Sequence, residues 1–493
     1  MMIRQNPSIF NDIVGPTMIG PSSSHTCAPS RIGFLAQQFL PGQLKKATIT
    51  FAKDGAYTLM YKGQRSDMGY VNGLLGRHPE DPRLRDSFAE AKKAGVEISF
   101  VIEDFPPVRP NISRLNLENT KGEQVELYSD STGGGTVRLM SFNGYDVDIV
   151  GDCYELILLT SCGREGSEHV LEEALKLVGA NEGTSVSAKE ESGLVNIKTR
   201  TEHTEEFLEQ LRNVEGVSEV KEIHPILTVL SNRHADIPFA SAEEMLAYGD
   251  ETGKELWELG VEYEMARSGW SRQQVMEYME YVVDTMENSA KEGLKGEGDM
   301  SGIISPTSGK VEAYIKQQPS ALDMGVLNTV VPWSMAVMEY SSTMGKVLCA
   351  PTGGSAGVFP GAVLGTANHM GLEKDAKVRA MFVTAVIGIV MSKDCNYSAE
   401  LYGCQVEPGA ASGMAAAGLV CLMGGTSEQM CMAASCAVQN ILGTICDPVA
   451  GLVQIPCINR NAMSAANAVV CANMIMGGFG PLIPLDQTAE TLF

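Results

Sequence analysis

The stretch ASGMAAAGLVCLMGG, from Ala411 to Gly425, carries no charged residue and consists almost entirely of small and apolar side chains. It is shorter than the roughly 18 apolar residues that a membrane-spanning helix needs, so it predicts a helix buried inside the protein. Charges are sparse throughout the region after about residue 325, where Ala, Gly and Met dominate. Helices that are apolar on nearly all sides have to be covered by other helices or by a second subunit.

The segments before this region predict further kinds of structure. Residues 241–269 and 271–293 place apolar residues three and four positions apart, which predicts amphipathic helices. Residues 154–226 alternate strand-like and helical segments in the order βαββαβ, the split unit of a ferredoxin-like sandwich. Strand-like runs mixed with turns and one helical segment fill residues 1–150. We therefore predict a multidomain α+β protein with an α+β domain at 1–150, a βαββαβ module at 154–226 and a mostly α-helical domain at 235–493.

The net charge is strongly negative, at −23, with 60 Asp and Glu against 37 Lys and Arg. Such a charge repels nucleic acids and anionic membranes, so neither is an expected partner and a small molecule is the expected ligand. The first residues lack the basic and apolar regions of a signal peptide, and no segment is framed as a membrane span. We therefore predict a cytoplasmic protein.

Three of the twelve cysteines differ from the others in their neighbours. Cys404, Cys446 and Cys457 lie beside Gly or Pro at breaks between helical runs, where thiolates and backbone N–H groups can both reach an iron–sulfur cluster. Their intervals match none of the short ferredoxin patterns, so spacing alone leaves a structural role open. The cysteines inside helical runs are predicted core residues, namely Cys421, Cys431, Cys436 and Cys471, and Cys395 is also interpreted as a core residue or a neighbour of the ligands.

Two polar segments are further candidates, and each has an alternative interpretation. The glycines of PTGGSAGVFPG (351–361) allow backbone amides to approach an anion, or else allow tight helix packing. The cluster Ser22, Ser23, Ser24 and His25 either faces a substrate or caps the following helix.

Four segments resemble the signatures of iron–sulfur L-serine dehydratases: IGPSSSHT (19–26), APTGGSAGVFPG (350–361), GCQVEPG (403–409) and CDPVAGLVQIPCINRNA (446–462). The resemblance implies a β domain at 1–150, an ACT-like module at 154–226 and a cluster-bearing α domain at 235–493. It implies that L-serine is converted to pyruvate and ammonia, and that three cysteines hold a 4Fe-4S cluster with one open iron. The buried-looking C-terminal helices predict a homo-oligomer, in the form of a dimer.

The resemblance also assigns site residues by position. The implied cluster ligands are Cys404, Cys446 and Cys457, and the implied catalytic residues are His25, Ser24 and Asn111. The implied substrate-binding residues are Ser22, Ser23, Gln64, Arg65, Thr352, Gly353, Gly354 and Ser355.

The chain departs from the family pattern at three positions where relatives carry histidine. Gln64, Asn440 and Arg109 stand there instead, and the first two cannot act as a base. Either His25 or another group is the base, or the protein acts on another β-substituted amino acid such as cysteine, threonine or 3-hydroxyaspartate. Arg65 would suit a substrate with a second carboxylate, unless it is simply solvated. A degenerate iron–sulfur sensing protein is the remaining alternative.

The ACT-like module at 154–226 also lacks the D-x-P-G loop of amino-acid-binding ACT domains.

Overall fold

The computed structural model describes residues 6–105, 109–300, 303–392, 397–449, 451–452 and 454–493. The chain divides into two compact units. Unit 1 comprises Met1–Ser24, Gly133–Gly135 and Ala235–Phe493, and unit 2 comprises His25–Thr132 and Thr136–His234. Both sheets predicted upstream of residue 235 therefore belong to one unit, and the first residues of the chain belong to the helical unit.

The strands are β1 (Thr17–Ile19), β2 (Leu44–Ala52), β3 (Glu97–Glu103), β4 (Ile112–Asn119), β5 (Gln124–Gly133), β6 (Thr136–Phe142), β7 (Tyr145–Ile149), β8 (Tyr154–Thr160), β9 (Gly183–Ala188), β10 (Gly193–Thr199), β11 (Val217–Ile223) and β12 (Lys346–Leu348). The helices are α1 (Ala28–Phe39), α2 (Tyr57–Met60), α3 (Ser66–Leu74), α4 (Ser87–Lys93), α5 (Arg164–Val178), α6 (Glu205–Arg212), α7 (Ala242–Thr252), α8 (Leu256–Ser268), α9 (Arg272–Leu294), α10 (Ser308–Gln317), α11 (Leu327–Ser342), α12 (Gly365–His369), α13 (Lys374–Met391), α14 (Ala399–Tyr402), α15 (Pro408–Leu422), α16 (Ser427–Gln439), α17 (Gln454–Met476) and α18 (Leu485–Glu490). Short 3₁₀ or π turns lie at Ile9–Ile13, Ser23–Cys27, Pro82–Asp86, Gly353–Ser355, Pro360–Leu364 and Cys404–Val406.

The larger sheet of unit 2 has six strands in the order β3-β2-β4-β5-β6-β7. Its one parallel pair is β2 with β3, in the register Ile49↔Phe100, and β2 pairs antiparallel with β4 in the register Ile49↔Leu115. In β4 buried residues alternate with half-buried ones, as expected for a strand with one face on a core. Helix α1 packs on this core through Ile32 and Leu35.

The smaller sheet of unit 2 has the predicted βαββαβ topology, with antiparallel strands in the order β11-β8-β10-β9. One face, with Leu156 and Leu158, packs under α5 and α6. The opposite face, with Ile157 and Leu194, joins the core of the six-stranded sheet. Successive side chains of a strand point to opposite faces, so β8 and β10 are buried on both sides. Their continuous apolar runs follow from this double burial.

A buried ion pair joins β8 and β10 in this sheet. Lys198 Nζ lies 2.6 Å from Glu155 Oε1 and also donates to Asp148 O at 2.6 Å, while Asn196 Nδ2 donates to Glu155 Oε2 at 2.9 Å. Burial raises the pKa of Glu155, and the nearby Lys198 charge opposes that rise. The pair satisfies two groups that are costly to bury singly.

Unit 1 is built around α15, whose residues from Pro408 to Val420 are all buried. Helix α15 packs against α13, α16 and α17. A Cβ atom at Gly413 would lie 2.9 Å from Ala434 O and 2.6 Å from a methyl of Val438, so only glycine permits this approach to α16. The predicted buried helix at 411–425 is confirmed, because α15 covers most of that range.

Residues 8–19 are fixed to unit 1 by long-range contacts. Strand β1 pairs antiparallel with β12, in the register Met18↔Val347. The buried carboxyl of Glu264 accepts hydrogen bonds from Ser8 Oγ at 2.8 Å and from Ile9 N at 2.7 Å. Burial raises the pKa of Glu264 to about 7. None of the helices among the described residues combines the length and the apolar character needed to cross a bilayer.

Replacing Lys198 by Met is expected to destabilise unit 2 by about 3–5 kcal/mol, because Glu155 then remains buried without its counter-charge. The double variant Glu155→Met with Lys198→Met is expected to recover at least half of the loss. Hydrogen exchange of peptides from β8 and β10 measures both effects. All three Trp residues lie in unit 1, at Trp257, Trp270 and Trp333, so an unchanged Trp fluorescence transition is the control. A double variant as unstable as the single one contradicts this account.

Candidate active site

Chain topology brings the three candidate cysteines to one end of a helical layer in unit 1. Cys404 precedes α15, Cys446 follows α16, and Cys457 lies in the first turn of α17. Only Met423–Thr426 separates α15 from α16, and a connection this short makes two packed helices antiparallel. The end of α16 therefore meets the start of α15. Helix α17 returns along both, so its first turn joins the same end.

The three thiols are in contact at this end. The Cys404 thiolate accepts hydrogen bonds from the thiols of Cys446 and Cys457, and these bonds lower the pKa of Cys404 to about 3. The pKa of Cys457 is raised, because its proton is held in the bond to Cys404 and because it is buried. Cys446 is exposed, whereas Cys404 and Cys457 are buried. The structure thus brings together the three cysteines that the sequence singled out.

Arg460 supplies the positive charge next to this thiol group. Its Nη1 donates to Cys404 Sγ at 3.1 Å and to Ile445 O at 2.7 Å, and it pairs with Asp447 Oδ1 at 2.6 Å. Arg460 therefore favours the thiolate form of Cys404 and holds the loop after α16 against the first turns of α17. The sequence analysis gave no role to Arg460, although it lies three residues after Cys457.

The donor set is of the kind that iron–sulfur clusters take. Cys404 contacts both other thiols, and the charge of Cys446 acts on Cys457. Among the described residues, no group of three His, Cys, Asp or Glu side chains is arranged to hold a metal ion. Thiolates in loops and at a helix start, with a cationic donor beside one of them, are typical of iron–sulfur ligands. Cys395 lies outside the described residues.

The glycine-rich loop lies beside the thiols and is held by side chains of other segments. Gly353 N donates to Ser23 Oγ at 3.0 Å, and Gly357 N donates to Asn461 Oδ1 at 3.0 Å. Asn461 Nδ2 donates to Gly354 O and to Cys457 O, both at 2.7 Å. Asn461 therefore connects the loop to the first turn of α17. The amides of Gly353 and Gly357, which could have bound an anion, therefore already have partners within the protein.

A carboxylate that the sequence analysis did not assign rests on this loop. Thr352 Oγ1 donates to Glu407 Oε1 at 2.7 Å, and a Cβ atom at Gly354 would lie 2.6 Å from Glu407 Oε2. Glu407 is also close enough to Cys457 for their charges to interact. The position of Glu407 three residues after Cys404, in GCQVEPG, was the available signal. Thr352 therefore positions Glu407, and Ser355 Oγ accepts from Thr352 N at 3.2 Å.

The serine cluster lies partly in the same unit. Ser22 Oγ and Ser24 Oγ are 3.5 Å apart, and Ser23 contacts the glycine-rich loop as described above. Helix α1 begins only at Ala28 and has no side-chain cap at its start.

His25 lies in unit 2, in the turn Ser23–Cys27, and is buried against an aromatic side chain. Its ring meets the Tyr57 ring edge-on, with centroids 5.1 Å apart. Tyr57 is hydrogen-bonded to Tyr70 and Ser131, and burial raises the pKa of Tyr57 well above its usual value. Tyr57 is therefore a neutral hydrogen-bonding group at any ordinary pH.

The polar network continues from Tyr57 towards Asn111. Tyr70 Oη is 2.7 Å from Ser113 Oγ, which is 2.7 Å from Ser129 Oγ. Asn111 is buried, and its Nδ2 lies 3.5 Å from Ser131 O. Unit 2 thus connects two predicted catalytic residues, His25 and Asn111, through Tyr57 and Ser131. The sequence analysis mentioned neither tyrosine as a site residue, because aromatic residues next to strands are typical core residues.

The three positions that depart from the family pattern differ in their surroundings. Gln64 is buried, its O accepts from Thr26 Oγ1 at 2.7 Å, and its Nε2 donates to Met60 Sδ at 3.0 Å. Asn440 is exposed and donates to Asn467 and to Cys471 on α17. Arg109 pairs with the buried carboxyl of Asp130 at 3.4 Å. Of the three, Gln64 lies beside the chain segment that carries His25.

Arg65 precedes α3 with a left-handed backbone, φ 61°. Burial raises the pKa of Asp67, and the charge of Arg65 opposes that rise.

Known proteins resemble this chain across both units. The family described as "Serine dehydratase alpha chain" matches residues 251–493. The "Probable L-serine dehydratase, alpha chain" of Bacillus subtilis (strain 168) is 32% identical over 255 residues, which are 52% of this chain and 85% of that protein. "L-serine dehydratase 1" of Escherichia coli (strain K12) is 28% identical in an alignment 493 positions long that covers 96% of this chain and 92% of that protein. The family match over 251–493 includes all three cysteines and the glycine-rich loop, and the Escherichia coli protein matches residues of both units. The chain therefore belongs to the L-serine dehydratase family.

Proposed function

We propose that the protein is a 4Fe-4S-dependent L-serine dehydratase, a lyase that converts L-serine to pyruvate and ammonia. The observation that carries the proposal is the meeting of the Cys404, Cys446 and Cys457 thiols, with Arg460 donating to Cys404. The relatives named L-serine dehydratase support the same substrate.

Cys404, Cys446 and Cys457 would hold the cluster, which leaves one of four irons without a protein thiolate. When bound, such a cluster supplies a Lewis acid for the β-hydroxyl group of the substrate. Arg460 compensates part of the negative charge that the thiolates bring. Asn461 keeps the glycine-rich loop at a fixed distance from Cys457, because one amide group bonds to both segments.

His25 is our candidate for the group that accepts the Cα proton of L-serine at an imidazole nitrogen. An imidazole is suited to this task near neutral pH, whereas the phenol of Tyr57 is not. Tyr57, Ser131 and Asn111 would fix the orientation of His25. Loss of the Cα proton and of hydroxide leaves an aminoacrylate, which hydrolyses to pyruvate and ammonia.

L-Serine is favoured over an acidic substrate because the relatives that match this chain are named L-serine dehydratases. The loss of the family histidine at Asn440 bears little on the chemistry, since Asn440 is exposed and bonded to α17. Cysteine, threonine and 3-hydroxyaspartate, and a sensing protein without turnover, are the alternatives that the assay below separates.

The proposal includes an ACT-like module at 154–226, a homodimer and a cytoplasmic location. The module sheet uses one face for α5 and α6 and the other for the core of the six-stranded sheet, which suits a structural role. A dimer is supported by exposed apolar residues on one face of α17, at Met463, Val470 and Met474.

The protein, purified and reconstituted without oxygen, is expected to bind about four irons and to show the broad visible absorption of iron–sulfur clusters. It is expected to release pyruvate from L-serine faster than 2-oxo acids from threonine, cysteine or 3-hydroxyaspartate. Cys404→Ser, Cys446→Ser and Cys457→Ser are each expected to lose most of the iron, whereas Cys436→Ser, a buried helix cysteine, retains it. Full iron content in all three variants, or a cluster without turnover on any of the four substrates, contradicts the proposal.

Replacing His25 by Ala is expected to lower kcat about 10²–10⁴-fold, the usual contribution of a general acid or base. The visible spectrum is expected to stay unchanged, because His25 is not a proposed ligand. His369→Ala, at the exposed end of α12, serves as the matched control. A His25→Ala variant with the activity of the wild type removes this residue from the mechanism.

A further inference from the structure

The carboxylate of Glu407 contacts the glycine-rich loop beside the proposed cluster ligands. One oxygen, Oε1, accepts the Thr352 hydroxyl at 2.7 Å, and the other, Oε2, lies against Gly354. The chain positions this carboxylate from both sides: Glu407 N donates to Cys404 O at 3.2 Å, and α15 begins at the next residue. Glu407 is therefore held by the same segments that hold the thiols.

The loop beneath Glu407 is poorly suited to bind an anion. The amides of Gly353 and Gly357 already donate to Ser23 and Asn461. A substrate carboxylate placed on this loop would also face the carboxylate of Glu407, and like charges in a partly buried site repel strongly. The loop therefore offers a better place for a cation than for an anion.

An amino acid carries one cation, its α-ammonium group. A carboxylate oxygen has two lone pairs, so Oε2 can accept an ammonium N–H while Oε1 keeps its bond to Thr352. A charge-assisted hydrogen bond of this kind is stronger than one between neutral groups. A 2-hydroxy acid has a neutral hydroxyl at the same carbon and cannot form the ion pair.

We infer that Glu407 binds the α-ammonium group of the substrate and so selects amino acids over 2-hydroxy acids. The inference rests on the proposed function, because it assigns a role within the same site. Thr352 and Gly354 act as positioning residues: the Thr352 hydroxyl orients the carboxylate, and the missing side chain of Gly354 leaves room for it.

The test uses L-alanine and L-lactate, which differ only in ammonium against hydroxyl and which both lack a leaving group. Each is titrated calorimetrically into the protein reconstituted without oxygen. The wild type is expected to bind L-alanine more tightly than L-lactate. Glu407→Gln, which keeps an acceptor for Thr352 but removes the charge, is expected to bind L-alanine about 30-fold more weakly or worse and L-lactate unchanged. KM for L-serine should rise by a similar factor with kcat little changed.

Control variants separate recognition from folding and from proton transfer. Glu428→Gln, an exposed change on α16, should leave every constant unchanged. Thr352→Val removes only the orienting hydroxyl and should weaken L-alanine binding several-fold, which keeps the inference testable if Glu407→Gln does not load its cluster. Variants that keep the wild-type ratio of L-alanine to L-lactate affinity overturn the inference. A fall in kcat with KM and L-alanine affinity unchanged also overturns it, since Glu407 would then act in proton transfer.

Failure of the inference can be distinguished from failure of the proposed function. If the wild type prefers L-alanine but releases no pyruvate from L-serine, only the proposed function is contradicted. If the wild type releases pyruvate while Glu407→Gln binds L-alanine as well as the wild type does, only the role of Glu407 is contradicted. A wild type that binds both probes alike, or neither, also contradicts the role of Glu407.

Discussion

The close packing of α15 against its neighbours is the constraint on which the candidate site depends. Glycine in a helix interior costs about 1 kcal/mol relative to alanine, yet α15 carries Gly413 and Gly418 where other helices approach its backbone. Because this packing fixes α15, α16 and α17 in one layer, the three segments at its end have little freedom. Cys404, Cys446 and Cys457 meet there because their helices do. A larger side chain at Gly413 would separate α15 from α16 and would also move the thiols that these helices hold.

Opposite charges lie close together in the candidate site of unit 1. The thiolate of Cys404 and the carboxylate of Glu407 bring negative charge to one place, and Arg460 opposes it from the side of the loop after α16. Such an environment suits a cluster of iron ions and the ammonium group of an amino acid. Unit 2 supplies a different environment, in which His25 contacts the ring of the neutral Tyr57, and Asn111 bonds the backbone carbonyl of Ser131.

The sequence predicted the elements well where a periodic pattern existed. The βαββαβ order of residues 154–226 and the amphipathic helices after 241 are confirmed, since both follow from local periodicity. Gly and Pro beside Cys404 and Cys446 correctly placed these residues outside long helices, whereas Cys457 lies inside the first turn of α17. Local patterns did not reveal the contacts of Glu407 and Arg460, which join segments 55 and 56 residues apart. They also did not reveal that β1 pairs with β12, which is why the first residues belong to unit 1.

The central claim is that this chain holds a cluster with one iron open to L-serine. The Mössbauer spectrum of protein reconstituted with ⁵⁷Fe, recorded with and without L-serine, tests it most directly. The account predicts a 4Fe-4S spectrum in which one iron in four changes its isomer shift and quadrupole splitting when L-serine binds, while three stay the same. A spectrum without such a cluster, or one in which L-serine leaves all four irons unchanged, contradicts the account.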